Sequence, residues 1–160
     1  MLNKVFKASS SVSDNISSTS RKYVIEICAA LLTLLFLYTS LSKLLTFDDY
    51  VGQINNQPFD NYYTPYFVYG LPATEFIAVI LLFINRTRLL GFVLSLFMMT
   101  MFTGYIVLVL ANFYGRIPCS CGGVINHITW KQHLWFNFFF IIVALTGLIF
   151  QYKENRIHGL

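Results

Sequence analysis

Residues 134–150 of the chain read LWFNFFFIIVALTGLIF, a stretch without a single Lys, Arg, Asp or Glu. A helix needs about 17–25 mostly apolar residues to cross the hydrocarbon core of a bilayer, and this stretch is long enough. Three further apolar runs of similar length cover about residues 23–45, 66–84 and 89–113. The sequence therefore predicts an all-α membrane protein with four transmembrane helices.

The composition excludes soluble and disordered proteins. Of the 160 residues, 56% are hydrophobic and only 11% are charged, whereas about 25% of residues are charged in an ordinary soluble domain. Disordered chains contain few aromatic residues, but 18% of this chain is aromatic. The net charge of +4 comes from scattered short clusters, not from one basic patch, so we expect a lipid bilayer and no nucleic acid as partner.

Short connections between the apolar runs predict an up-down four-helix bundle, in which neighbouring helices are antiparallel. We expect this bundle to cover residues 23–152. Residues 1–22 are Ser-rich and lack helical periodicity, so we interpret them as a disordered cytoplasmic tail. Residues 153–160 form a second predicted cytoplasmic tail.

The positions of Lys and Arg predict the orientation, because cytoplasmic flanks of membrane proteins are rich in these residues. Arg116 and Lys131 lie in the connection between the third and fourth runs, and Lys43 lies just inside the membrane. All the others flank the side that holds both termini: Lys4, Lys7, Arg21, Lys22, Arg86, Arg88, Lys153 and Arg156. Both termini are therefore predicted to be cytoplasmic. The longer connections are then expected on the non-cytoplasmic side, which in the inner membrane of a bacterium is the periplasmic side.

The third connection contains Cys119 and Cys121, separated by one residue. By the charge argument it faces the oxidising side of the membrane, where disulfides persist. A disulfide between these two residues would close a very small ring with unfavourable geometry, and strained, exposed disulfides exchange readily. We interpret the two cysteines as a catalytic redox pair and the chain as a candidate thiol–disulfide oxidoreductase.

Two other interpretations of this connection stay open. The cysteines can be a static disulfide or unreactive thiols, since cysteines in exported regions are often merely paired; the chain would then be a non-catalytic subunit or assembly factor. Alternatively, the chain handles a metal ion. Zinc or copper would then bind nitrogen and sulfur ligands from Cys119, Cys121, His127 and His133.

Polar side chains inside the apolar runs are further candidate site residues, namely Lys43, Glu75 and Tyr105. Glu75 lies near the predicted membrane middle, where a carboxyl group needs a partner or must carry a proton. It is either functional or a neutral acid that is hydrogen-bonded to a neighbouring helix. Lys43 can pair with Glu75 or extend its ammonium group to the outer interface.

Trp130 and His133 begin the fourth run and are candidate residues for binding a membrane carrier such as quinone. A flat apolar carrier would pack against aromatic rings here, and His133 could donate a hydrogen bond or relay a proton. The alternative is an aromatic belt at the membrane interface, which needs no ligand. We expect no covalently bound cofactor.

Several motifs together resemble the MauE branch of the DoxX-like membrane proteins. They are LFLYTSLSKL at 35–44, LPATE at 71–75, TRLLG at 87–91, FTGYI at 102–106, CSCGG at 119–123 and WKQHLWFN at 130–137. The resemblance spans about residues 25–150. It implies a four-helix membrane bundle, distantly similar to membrane disulfide-forming enzymes of the vitamin K epoxide reductase type.

The resemblance also implies a redox role. MauE is implicated in maturing methylamine dehydrogenase, a disulfide-rich periplasmic enzyme, beside a thioredoxin-like partner, and other DoxX-like members are linked to quinone-coupled sulfur oxidation. By position, Cys119 and Cys121 would be the redox pair, and Lys43 and Glu75 the polar pair in the bundle. The implied partner is a thioredoxin-like or other exported protein. The chain can act alone or as part of a larger membrane complex. With only two outer cysteines here, direct exchange with the partner would replace the shuttle cysteines of the vitamin K epoxide reductase type.

Overall fold

A computed structural model of the protein describes residues 2–58, 60–115 and 129–158. Within these ranges, side chains are described from residue 19 to residue 157. The helices are α1 (Leu2–Leu45), α2 (Phe47–Asn55), α3 (Thr64–Phe83), α4 (Arg88–Leu110) and α5 (Trp130–His158), with a 3-10 turn at Asn61–Tyr63. Four segments are long and apolar enough to cross a membrane: Thr19–Leu45, Asn61–Phe83, Arg88–Leu110 and Trp130–Ile157. The predicted all-α, four-helix membrane bundle is confirmed.

The four spanning helices pack as a ring, in which α1 contacts α3 and α5, and α4 contacts the same two helices. Successive spans are antiparallel, because each connection joins two helices at the same end of the bundle. We call the end that holds the α1–α3 and α4–α5 connections the loop end, and the end that holds the α3–α4 turn the turn end. Which end faces the cytoplasm stays a prediction.

Both chain termini are helical where the sequence predicted tails. Helix α1 begins at Leu2 instead of near residue 23, and α5 continues to His158, past the expected boundary at residue 152. Residues 2–22 contain neither Gly nor Pro, and Ser or Asn weakens a helix by only about 0.5 kcal/mol per residue. The structure thus describes residues 2–22 as part of α1, and their assignment as a cytoplasmic tail stays a prediction.

The connection between α1 and α3 contains α2, a short helix that no sequence pattern predicted. Tyr50 of α2 is buried, and its hydroxyl donates to the carbonyl of Phe67 at 3.1 Å. The Thr64 hydroxyl donates to Oδ1 of Asn55 at 2.7 Å. These two hydrogen bonds hold α2 against the loop end of α3.

Ion pairs join the helices at the turn end. Buried Arg88 donates from Nε to the carbonyl of Leu82 at 3.0 Å and from Nη1 to Oε1 of Glu26 at 2.6 Å. The guanidinium group thereby satisfies a carbonyl near the end of α3 and links α4 to α1. Lys22 Nζ lies 3.9 Å from Oε1 of Glu154, between α1 and α5.

Apolar side chains from all four spanning helices fill the interior between these ion pairs and the middle of the bundle. We call this set the apolar layer: Ile25, Cys28, Ala29, Leu32, Phe36, Ala78, Leu82, Phe92, Met98, Met99, Phe140, Val143 and Ala144. Small residues let the helices approach closely beside it, as is usual in membranes. A Cβ atom at Gly91 would lie 2.7 Å from the backbone nitrogen of Leu82, and one at Gly147 would overlap the ring of Phe92.

Replacing Gly91 with Ala should therefore destabilise the bundle. The added methyl group meets the backbone of α3, which cannot move aside as a flexible side chain would, and such overpacking typically costs about 1–3 kcal/mol. Gly104→Ala on the same helix is the matched control, because a Cβ atom there would have nothing within 4 Å. Reversible unfolding in mixed detergent micelles measures both variants. Equal stability of the two would contradict the close α3–α4 contact.

Candidate functional site

A buried ion pair between Lys43 and Glu75 lies inside the bundle. Glu75 is about 16 Å along α3 from its first residue, at 1.5 Å per residue, and its side chain is only 2% exposed. Cα–Cβ bonds tilt toward the N-terminus of a helix, so the side chain of Lys43 is directed from the loop end of α1 into the bundle. Its Nζ donates to Oε1 of Glu75. Of the two arrangements that the sequence allowed for Lys43, the structure has the pairing.

Tyr50 covers this pair on its loop-end side. The Tyr50 ring centroid is 5.9 Å from Nζ of Lys43, within the range of a cation–π contact. Burial, and secondarily the charge of Glu75, raise the pKa of Tyr50 above its ordinary value. The phenol therefore stays neutral and keeps donating to the carbonyl of Phe67.

The register of α1 against α3 is fixed one turn away. The buried hydroxyl of Ser40 donates to the carbonyl of Pro72 at 3.3 Å. Pro72 lies inside α3, where its ring cannot donate a backbone hydrogen bond to the preceding turn. Close packing of α1 on this weakened segment brings Lys43 within reach of Glu75.

Two buried polar atoms near the middle of the bundle have no hydrogen-bond partner among the described residues: Oε2 of Glu75 and Nδ2 of Asn137. The Thr39 hydroxyl is within hydrogen-bonding reach of Glu75 and of the Phe36 carbonyl at 3.0 Å. It carries one hydrogen and can donate to only one of them at a time; with the bond to Phe36 formed, it does not donate to Glu75. Asn137 is 3% exposed and lies on α5. The second oxygen of Glu75 is thus left available for another group.

The other predicted site residues lie nearer the loop end. Tyr105 donates its hydroxyl to Oε1 of Gln57, which joins α4 to the segment after α2. Trp130 and His133 are half-buried on the first turn of α5, whereas Trp135 is 76% exposed on the outside of the bundle. Trp130 and His133 can therefore face a ligand, and Trp135 faces the surroundings.

The predicted redox pair, Cys119 and Cys121, and the alternative metal ligand His127 lie outside the described residues. Of that alternative metal set, only His133 is described. Within the part of the chain that the structure describes, no three His, Cys, Asp or Glu side chains are grouped so that they could hold a metal ion. The roles of these residues stay predictions.

We call residues 116–128, which contain Cys119 and Cys121, the cysteine segment. Defined backbone motifs flank it on both sides. At the end of α4, Phe113 N–H donates to Leu108 O at 3.1 Å and Asn112 N–H to Val109 O at 3.0 Å, the pattern of a Schellman motif. Asn112 adopts a left-handed φ of 54°, which Asn tolerates better than most residues. The segment therefore leaves α4 at a fixed position.

A capping box fixes the start of α5. Oε1 of Gln132 accepts the backbone N–H of Thr129 at 2.9 Å, and the Thr129 hydroxyl accepts the N–H of Gln132 at 3.4 Å. This reciprocal pattern satisfies N–H groups that the first turn of a helix leaves free. The Thr-x-x-Gln spacing at 129–132 was visible in the sequence and places the helix start there, before the predicted span at 134.

Four residues of this region were missed from sequence: Ser40, Tyr50, Gln57 and Asn137. Asn137 had a detectable signal, because it is a polar amide in an otherwise apolar run and lies three and seven residues before the buried Phe140 and Ala144. Tyr50 had none, since aromatic residues near a span usually indicate an interfacial belt.

Removing Lys43 should destabilise the protein more than removing both charges. Lys43→Met leaves Glu75 buried without its cation, which we expect to cost about 1–3 kcal/mol after the carboxyl group takes up a proton. In Lys43→Met with Glu75→Leu, the loss should be smaller, because no polar group is left unsatisfied. Lys22→Met is the control, with a side chain 62% exposed and an expected change below about 1 kcal/mol. Unfolding titrations showing additive effects of Lys43 and Glu75 would contradict the pair.

Comparison with known proteins agrees with these observations. No curated protein and no solved structure matches the chain. The sequence model of the family described as methylamine utilisation protein MauE matches residues 21–150, a range that holds all four spans and the cysteine segment between α4 and α5. Because this match covers most of the 160 residues, the chain belongs to the MauE family of integral membrane proteins.

Proposed function

We propose that this protein is a membrane thiol–disulfide oxidoreductase acting on exported proteins. Cys119 and Cys121 alternate between the dithiol and the disulfide, and exchange with the thiols of a thioredoxin-like or other exported partner. The family name refers to methylamine utilisation, and maturation of a protein in that process is the role we assign. The proposed location is an inner membrane, with the cysteine segment on the periplasmic side.

The observation that carries this proposal is where the cysteine segment is attached. The Schellman motif ends α4 at one side of the segment and the capping box begins α5 at the other, both at the loop end. Lys43, which is paired with the buried Glu75, lies in the last turn of α1 at this same end. Two cysteines are thus tethered to the end of the bundle from which Lys43 reaches Glu75.

Forming the Cys119–Cys121 disulfide removes two electrons and two protons from the thiols, so an acceptor for both is required. We assign Trp130 and His133 to the head group of a quinone; both are half-buried at the start of α5. The indole ring offers a packing face, and the imidazole a hydrogen-bond donor or a proton relay. A bound quinone would supply a two-electron, two-proton acceptor and become quinol.

The Lys43–Glu75 pair supports this chemistry as a polar group in the bundle interior. A carboxylate that is held by one ammonium group and has a second, available oxygen can accept a proton without leaving its position. Because intramembrane ionisable residues are rare, they usually mark a functional path. Assembly with a larger membrane complex is compatible with the exposed apolar flanks of the helices.

The redox state of the cysteine pair tests the proposal. If the small ring is strained, its reduction potential should lie above about −300 mV, the level below which structural disulfides usually fall. A glutathione or dithiothreitol redox titration of the purified protein, read by thiol alkylation and mass spectrometry, measures that potential. A fully oxidised pair at much lower potentials would identify a structural disulfide.

The single variants Cys119→Ser and Cys121→Ser supply the second part of the same test. Both should fold and insert, because so short a loop adds little entropic stabilisation. At least one should trap its partner as a mixed disulfide on non-reducing gels. Cys28→Ser is the matched control, since Cys28 is buried and should not affect trapping. No adduct from either variant would contradict the assignment.

A further inference from the structure

The unpartnered atoms of Glu75 and Asn137 need an explanation. Each side chain is at least 97% buried, and neither Oε2 of Glu75 nor Nδ2 of Asn137 bonds to any described residue. Buried polar groups in native proteins are almost always hydrogen-bonded, to protein or to ordered water. Lipid cannot supply such a bond, so a polar ligand in the bundle interior is the physical alternative.

Both atoms belong to a set of polar residues on the loop-end side of the apolar layer, all of them buried except the half-buried Lys43. We call this set the polar layer, and its members are Ser40, Lys43, Glu75, Thr103 and Asn137. On all four spanning helices the members of the apolar layer lie toward the turn end from these residues. On the loop-end side, Val68 of α3 and Ile106 and Val109 of α4 are buried. Thr103 and Ser95 each donate to a carbonyl of α4, of Met99 and Gly91 respectively, both at 2.7 Å. Ser95 is left out of the polar layer because of its position, which is beside the apolar layer.

We propose that the polar layer holds water that enters from the loop end only. The side chain of Lys43 keeps 16% of its surface exposed although the Tyr50 ring lies against its ammonium group, so water can reach Glu75 along the uncovered part of this side chain. Water molecules would accept from Nδ2 of Asn137 and donate to Oε2 of Glu75. Water occupies buried spaces that offer several polar partners, whereas apolar spaces stay dry, so the apolar layer closes this path toward the turn end.

This arrangement gives Glu75 proton exchange with the aqueous phase on one side of the membrane. A proton taken up or released by its carboxyl group therefore does not cross the bilayer. The proposal stands independently of the role of Cys119 and Cys121. It is tested in a background that lacks both thiols, so its failure and that of the redox assignment are distinguishable.

Single cysteines in full-length protein test the water directly. In a Cys28→Ala, Cys119→Ser, Cys121→Ser background, Asn137→Cys is compared with Ala144→Cys, which lies seven residues deeper on α5 and is 0% exposed. A thiol buried among apolar groups ionises less readily, and each pKa unit lowers the thiolate fraction about tenfold. A charged, membrane-impermeant methanethiosulfonate reagent should therefore react at least about tenfold faster with Asn137→Cys.

The sidedness is measured in sealed vesicles of both orientations. Asp49→Cys on α2 and Asn85→Cys in the α3–α4 turn, both exposed, report the loop end and the turn end. Asn137→Cys should react from the side of Asp49→Cys only. Reaction from the side of Asn85→Cys, or rates no faster than Ala144→Cys from either side, would overturn the proposal.

A second pair of sites on α4 protects the test against misfolding of the Asn137 variant. Thr103→Cys belongs to the polar layer, and Met99→Cys, one turn deeper, belongs to the apolar layer. Thr103→Cys should react in the same way as Asn137→Cys, and Met99→Cys should stay protected. Equal protection of Thr103→Cys and Met99→Cys in folded protein would also overturn the proposal.

Discussion

The ion pair of Lys43 and Glu75 determines how α1, α2 and α3 pack at the loop end of this bundle. A charge inside a bilayer is tolerated only with a partner or a neutralising proton, so α1 and α3 must keep a register that brings the two side chains together. The Ser40–Pro72 hydrogen bond holds that register one turn away, and Tyr50 of α2 covers the ammonium group. The short helix between the first two spans is therefore part of the site's packing.

A separate set of interactions stabilises the opposite end. Arg88 joins α4 to the end of α3 and to Glu26 of α1, and the apolar layer packs next to it around the close approaches at Gly91 and Gly147. The apolar layer thus lies toward the turn end, whereas the polar layer and the connection that holds the two cysteines lie toward the loop end. Close helix packing beside the polar layer is a suitable support for the redox chemistry proposed at one membrane surface.

The sequence predicted the spanning helices well, because each is an apolar run of bilayer length. It also identified Glu75 as a residue whose carboxyl group needs a partner or a proton inside the membrane. It did not predict the helical extension at residues 2–22, since Ser and Asn reduce helix propensity without breaking a helix that is already nucleated by the span. Tyr50 and Ser40 were also missed. Their importance comes from contacts with residues far away in the chain, and no local pattern reports such contacts. Asn137 was detectable as a lone amide in an apolar run, but burial alone shows that it faces inward.

The central claim is that electrons pass from the cysteine pair to a membrane quinone. The absorbance of the quinone, followed during a single turnover, measures this transfer most directly. Protein in nanodiscs, reduced to the dithiol and freed of reductant, is mixed with a short-chain benzoquinone, and loss of quinone absorbance is followed. We predict stoichiometric reduction by the native protein and none by the folded Cys119→Ser, Cys121→Ser variant. Absence of reduction by the native protein, or equal reduction by the variant without the pair, would contradict the account.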